Sequence, residues 1–170
     1  MTDKSNPVII SRTPYNGATY THQGWLADEV EMTHLLLDDE LDEQEGAGPA
    51  SNKRTTTYIF DISNLKEPIN TGVYQSPVLA IDHNQYVKDG KAYQANYSSG
   101  LRIVDVSSLK EDATGESMKE VGFFDCHPED DAENAVDFFG SWSSYPYFPS
   151  GYILLNSIER GVYSVKYTGN

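Results

Sequence analysis

His22 and His83 stand 61 residues apart, and Trp142 takes the corresponding place 59 residues later. Each histidine opens a similar phrase: THQGWL with LLLDDELDE and TTTYIFDIS, then HNQYV with YQANYSSG and LRIVDVS. Neutral imidazole is a good nitrogen ligand, so two of them beside a carboxylate suit a transition ion such as zinc. Asp38, Asp39 and Glu40 close the adjoining apolar segment. His22, Asp38, Asp39, Glu40 and His83 therefore form the candidate metal set, with a divalent cation, calcium or zinc, as the candidate cofactor. The plainer alternative is that each histidine bonds backbone or carboxylate and sets the register of its strand.

The run Asp38-Asp39-Glu40-Leu41-Asp42-Glu43 is dense in oxygen ligands, which suits calcium. Its spacing lacks the alternation, the glycine and the distal glutamate of an EF-hand loop. A pair of these carboxylates can also act as general acid and base, although spacing along a chain does not give their separation in space. The simplest reading is a solvated acidic loop. Asn96, Trp142, Tyr145 and Glu159 are ligand-binding candidates. Asn96, Asn156 and Glu159 follow the second strand of their units, where asparagine also caps turns. Asn96-Tyr97-Ser98 is a glycosylation sequon. Trp142, Tyr145, Tyr147, Phe148 and Tyr152 make either a sugar- or peptide-stacking platform or packing between sheets.

Strands must position these residues, because the chain is rich in Tyr, Val, Ile and Thr and poor in helical signals. We read two units of four strands: Gly24–Leu26, Leu35–Asp39, Thr56–Asp61 and Asn70–Gln75, then Asn84–Lys88, Ala92–Tyr97, Leu101–Asp105 and Lys119–Phe124. A third supplies Ser141–Ser144, Tyr152–Ser157 and Val162–Tyr167. Asp89-Gly90 signals a tight hairpin, with Ser99-Gly100 and Arg160-Gly161 serving the next turns in the same way. Asp61 and Asp105, each two residues before a serine, read as turn formers. Asp42–Arg54 reads as a loose Gly/Ala/Pro/charge loop, and Lys110–Ser117 and Cys126–Asp137 as further insertions.

A repeat of this period in all-strand sequence predicts stacked or radial sheet units. The expected fold is all-β, a β-propeller portion of about three four-stranded blades. Residues 7–15 form the outer strand of a neighbouring blade, 20–76 and 82–126 whole blades, and 140–167 three strands of a further blade. Propellers need about four blades or more, so another chain or copy must complete the ring.

The same phrases, with SWSSYPYFPSG and SIERGVYSVKY, resemble the LVIVD-repeat proteins, and more narrowly the choice-of-anchor B domain proteins. The resemblance runs from Pro7 to Tyr167. It implies a propeller in an exported or surface-displayed protein, of which this chain is the carboxy-terminal part, and it carries no catalytic residues. The partner is then a further copy or the rest of a longer propeller chain.

Twelve basic against 26 acidic side chains give a net charge of −14, which disfavours nucleic acid and anionic lipid as partners. No apolar run approaches the length of a membrane span, and Met1–Pro7 is too polar for a signal peptide. The lone Cys126 excludes an internal disulfide. GxGxxG, GxxxxGK[ST], GxSxG, HExxH and CxxC are all absent. The leading expectation is a non-catalytic surface module for protein binding or assembly, with a cation near His22, Glu40 and His83. The alternatives are a metal-dependent hydrolase or lyase and a structural component of a fibre or surface layer.

Overall fold

The computed structural model describes residues 4–129 and 136–169. Part of the acidic insertion at Cys126–Asp137 therefore lies outside the described residues. The protein is all-β, with three antiparallel sheets. The first holds β1 (Thr21–Leu26), β2 (His34–Asp39), β3 (Arg54–Asp61) and β4 (Ile69–Leu79) in sequence order. The second holds β5 (Asn84–Lys88), β6 (Lys91–Ala95), β7 (Leu101–Asp105) and β8 (Lys119–Phe124), again in order. The third stops at β9 (Ser141–Tyr145), β10 (Tyr152–Ser157) and β11 (Gly161–Lys166). No described helix is long and apolar enough to cross a membrane.

The turns follow local chemistry. Asp89 and Gly90 have φ of 51° and 70°, so both central residues of the β5–β6 hairpin are left-handed, as a type I′ turn demands. The other two turns differ from that expectation: only the glycine of Ser99-Gly100 and of Arg160-Gly161 has positive φ. The two Asp-x-Ser turns are built alike. Asp61 Oδ1 accepts the Ser63 N–H at 2.8 Å, and Asp105 Oδ1 accepts the Ser107 N–H at 2.9 Å.

The sheets pack face to face with their first strands adjacent, β1 beside β5 and β5 beside β9. Between the first two sheets lies a core that includes Leu36, Ile59, Val87, Ala92, Val104 and Leu109. Between the second and third lies another, with Ala95, Leu101, Ile103, Cys126, Ile153 and Leu155. Full burial of each large aliphatic side chain here contributes about 1.5–3 kcal/mol. The Gln23 side chain pins β1 to β5 by donating to Gln85 O at 2.9 Å and accepting the Gln85 N–H at 3.1 Å.

Two segments depart from the sequence reading. Asp42–Arg54 is no loose loop: it forms a helical turn, α1 (Asp42–Glu45), then a 3-10 turn over Gly48–Asn52. Its acidic head turns inward, with Asp42 and Glu43 fully buried. Tyr58 Oη donates to Asp42 Oδ2 at 2.7 Å and the Thr56 N–H to Glu43 Oε1 at 2.7 Å, contacts between α1 and β3 that composition cannot reveal. Residues 7–15 form no regular element and belong to no sheet in the structure. They are tethered where Ser11 Oγ donates to Leu65 O and Tyr15 packs on Tyr58, while Val8, Ile9 and Ile10 are 76, 91 and 61 % exposed.

Candidate functional site

At the end where β1, β5 and β9 begin, three equivalent positions stack on one another. The His22 and His83 rings lie 4.4 Å apart, and the His83 and Trp142 rings 4.3 Å. The 61- and 59-residue spacings thus reappear as direct contact. His22 Nδ1 lies 2.9 Å from His83 O, and His83 Nδ1 lies 2.6 Å from Trp142 O. A carbonyl only accepts, so each Nδ1 carries a proton and Nε2 is the atom each ring leaves for a ligand. Asn84 Nδ2 also stands near His83 Nδ1, and it donates to Trp142 O at 3.0 Å.

Both Nε2 atoms face one carboxylate. His22 Nε2 is 3.7 Å from Glu40 Oε2, and His83 Nε2 is 3.7 Å from Glu40 Oε1. That separation is too long for a hydrogen bond. It is close to the ligand–ligand edge of about 3.3 Å that a tetrahedral ion with about 2.0–2.1 Å bonds requires. Burial holds His83 below its ordinary pKa, against the Trp142 carbonyl and Glu40, so the ring favours its neutral, metal-ligating form. Tyr97 Oη donates to Glu40 Oε1 at 2.5 Å and leaves Oε2 for an ion. Burial and the Glu40 carboxylate together raise the Tyr97 pKa, which keeps the phenol a donor. Tyr97 is fully buried at φ 33°, an uncommon conformation for a bulky residue; the sequence reading placed it at the end of the strand Ala92–Tyr97 with no role in the site, whereas the strand stops at Ala95.

The structure brings together His22, Glu40 and His83 from the predicted set and separates Asp38 and Asp39 from them. Asp39 is occupied: Oδ1 accepts from Thr19 Oγ1 at 2.5 Å and the Tyr20 N–H at 2.7 Å. Its Oδ2 accepts from Tyr15 Oη at 2.6 Å and the Thr19 N–H at 2.9 Å. Burial would raise its pKa, and these four donors outweigh that and lower it. Asp39 anchors the chain before β1. Asp38 points into a buried group with Asp42, Glu43 and Asp82, where Gln85 Nε2 donates to its Oδ1 at 2.6 Å. Asp82 precedes His83 and carried no repeat signal of its own, so the sequence reading passed over it.

The ligand-binding candidates divide. Asn96 is buried, with its backbone closing a turn to Ser99 and Gly100, so the sequon is sealed in the folded protein. Glu159 Oε2 accepts the Gly140 N–H at 3.0 Å and braces the start of β9. Trp142, half exposed, joins the histidine stack. Tyr145, also half exposed, meets Tyr147 and Phe148 toward the other end of β9, so the aromatic series is not one platform. At the far end of β1 and β5 lies a separate groove of about 560 Å³, lined by Ala27, Asp28, Lys88, Lys110 and Tyr147 among others. Both lysines are already engaged, Lys110 Nζ lying 2.8 Å from Glu31 and 3.3 Å from Asp28, and Lys88 Nζ donating to Pro146 O at 3.2 Å.

Comparison with known proteins adds no identity: no family model, no curated protein and no solved structure matches the chain.

Proposed function

We propose that the chain is part of a β-propeller and serves as an assembly and binding module whose ring a second copy completes. One observation carries this reading. The third sheet stops a strand short of the other two, while Val8, Ile9 and Ile10 stand exposed, apolar and outside any sheet. Edge β11 needs a partner strand, and an exposed apolar strand needs a sheet. The outer face of the third sheet adds exposed Tyr145, Tyr152, Leu154 and Val162, a face of the kind that a neighbouring sheet covers. First strands that lie side by side suit wedges about a common axis, and two copies would supply six such sheets. The likeness to LVIVD-repeat and choice-of-anchor B proteins supports an extracellular or cell-surface setting.

Mass measurement in solution tests the reading. A dimer that Ile9→Asp converts to monomer is the expected result. A folded monomer at every concentration overturns completion by a second copy, and open filaments under the electron microscope would favour a fibre component instead.

A metal-dependent hydrolase or lyase is the second reading, favoured by the two Nε2 atoms and the Glu40 carboxylate converging beside a half-exposed tryptophan. Three protein ligands leave a zinc position open for water, which the ion would activate. Zinc that survives dialysis in the native protein and is lost in His83→Ala is expected. Metal-free protein with melting unchanged by zinc or chelator excludes it.

A further inference from the structure

The structure assigns a second cation site, independent of the histidine cluster: Asp42, Glu43 and Asp82, with Asp38 beside them, form a buried oxygen cage for calcium. Asp38, Asp42, Glu43 and Asp82 are each no more than 1 % exposed. Among the described residues the strongest influences on them are burial, one another, Asp39, Tyr58 and backbone N–H groups, with no lysine, arginine or histidine. Taking even one carboxylate out of water costs several kcal/mol when no counter-charge is present. Four together demand protons or a cation.

Hydrogen bonding shows what protein groups leave open. Asp38 takes Gln85 Nε2, Asp42 takes Tyr58 Oη through Oδ2, and Glu43 takes the Thr56 N–H. The Asp82 N–H reaches Glu43 Oε2 only at 3.4 Å. Among the described residues Asp42 Oδ1 and both side-chain oxygens of Asp82 meet no N–H or alcohol donor, although all three are buried; the side chains that approach them are other carboxyls, Asp38 at Asp82 and Glu43 at Asp42. Buried polar atoms are seldom left so. Asp39, beside them in sequence and equally buried, has both oxygens filled by donors.

Ligand atoms of Asp42, Glu43 and Asp82 all lie within 4.8 Å of one another. Calcium bonds oxygen at about 2.3–2.6 Å, so oxygens on opposite sides of one ion stand about 4.6–5.2 Å apart. The spread matches one calcium. Magnesium bonds at about 2.0–2.1 Å and keeps several waters, which a sealed cage does not suit. An all-oxygen, multiply anionic set is hard, in contrast to the imidazole-bearing cluster near Trp142. The ion here is structural. It joins α1 to the Asp82 turn between β4 and β5, and so the first sheet to the second.

The full chain, stripped with chelator and dialysed near neutral pH, is titrated with calcium alone while uptake and melting are followed. One calcium per chain and a rise of roughly 5 °C in the melting midpoint are expected. Asp82→Asn should weaken uptake by at least about tenfold and abolish the rise, with Asp42→Asn as the substitute if that variant misfolds. His83→Ala should leave both unchanged. Absence of uptake, with melting the same in calcium and chelator, would mean that protons alone fill the cage and overturns the assignment. Uptake that is lost in His83→Ala and kept in Asp82→Asn overturns it equally.

Discussion

The histidine cluster and the carboxylate cage both gather titratable side chains from the first sheet and the segment that enters β5, yet in opposite surroundings. In the cluster every ring has a partner: each Nδ1 meets a carbonyl, Glu40 receives Tyr97, and His22 remains partly open to solvent. In the cage solvent is excluded, and among the described residues three oxygens meet no N–H or alcohol donor, only other carboxyls. The cluster can stand with or without an ion, because its rings are paired. The cage cannot stand as bare anions, and its occupant is therefore part of its stability. Asp39 is the control, a carboxylate as buried as the cage but saturated.

The largest effect expected is at that control. Asp39→Ala strands Tyr15, Thr19 and Tyr20 donors and should cost about 3 kcal/mol or more in denaturant titration. A loss below about 1 kcal/mol would erase the distinction between saturated and unsaturated carboxylates. Next comes removal of the ion from the cage. Calcium at about a hundred times its dissociation constant should add about 2.7 kcal/mol. In chelator the sign reverses from Asp39, because Asp82→Asn removes an uncompensated charge and should stabilise the protein by roughly 1 kcal/mol.

Acidification of the stripped protein sharpens the contrast further. Burial raises the pKa of Asp38 and Asp82 well above their ordinary value, and takes Asp42 to about 6 and Glu43 to about 10. The folded state then holds more protons than the unfolded state wherever pH exceeds the ordinary carboxylate range. Lowering the pH from about 8 to about 5 in chelator should therefore raise stability, and saturating calcium should flatten the profile. A stripped protein that loses stability over that window would contradict the cage. The smallest stability change is expected in the histidine cluster. Glu40→Gln keeps an acceptor for Tyr97, so melting should move little while zinc affinity falls by about tenfold or more. Unchanged zinc uptake would remove Glu40 from the ligand set.

Much of this was legible in the residues. Strand positions followed from alternation and from turn chemistry such as Asp89-Gly90, since side chains alternate by two and left-handed turn positions admit few residue types. The repeat brought His22 to His83 because equivalent positions on adjacent sheets must meet. Other features were hidden. Asp39 and Glu40 are neighbours, but alternation sends one to Tyr15 and the other to the imidazoles. Asp42 and Glu43 looked like a solvated loop, because nothing local announces that Tyr58 and Thr56 wait across the fold.

The order of residues alone determined an all-strand chain, its punctuation and a three-fold recurrence, because backbone preference and side-chain alternation act between near neighbours. Only the tertiary structure decided which carboxylates share a space and which are satisfied. Those properties depend on burial and on distances between groups remote along the chain, where desolvation and donor geometry, not composition, set the energy.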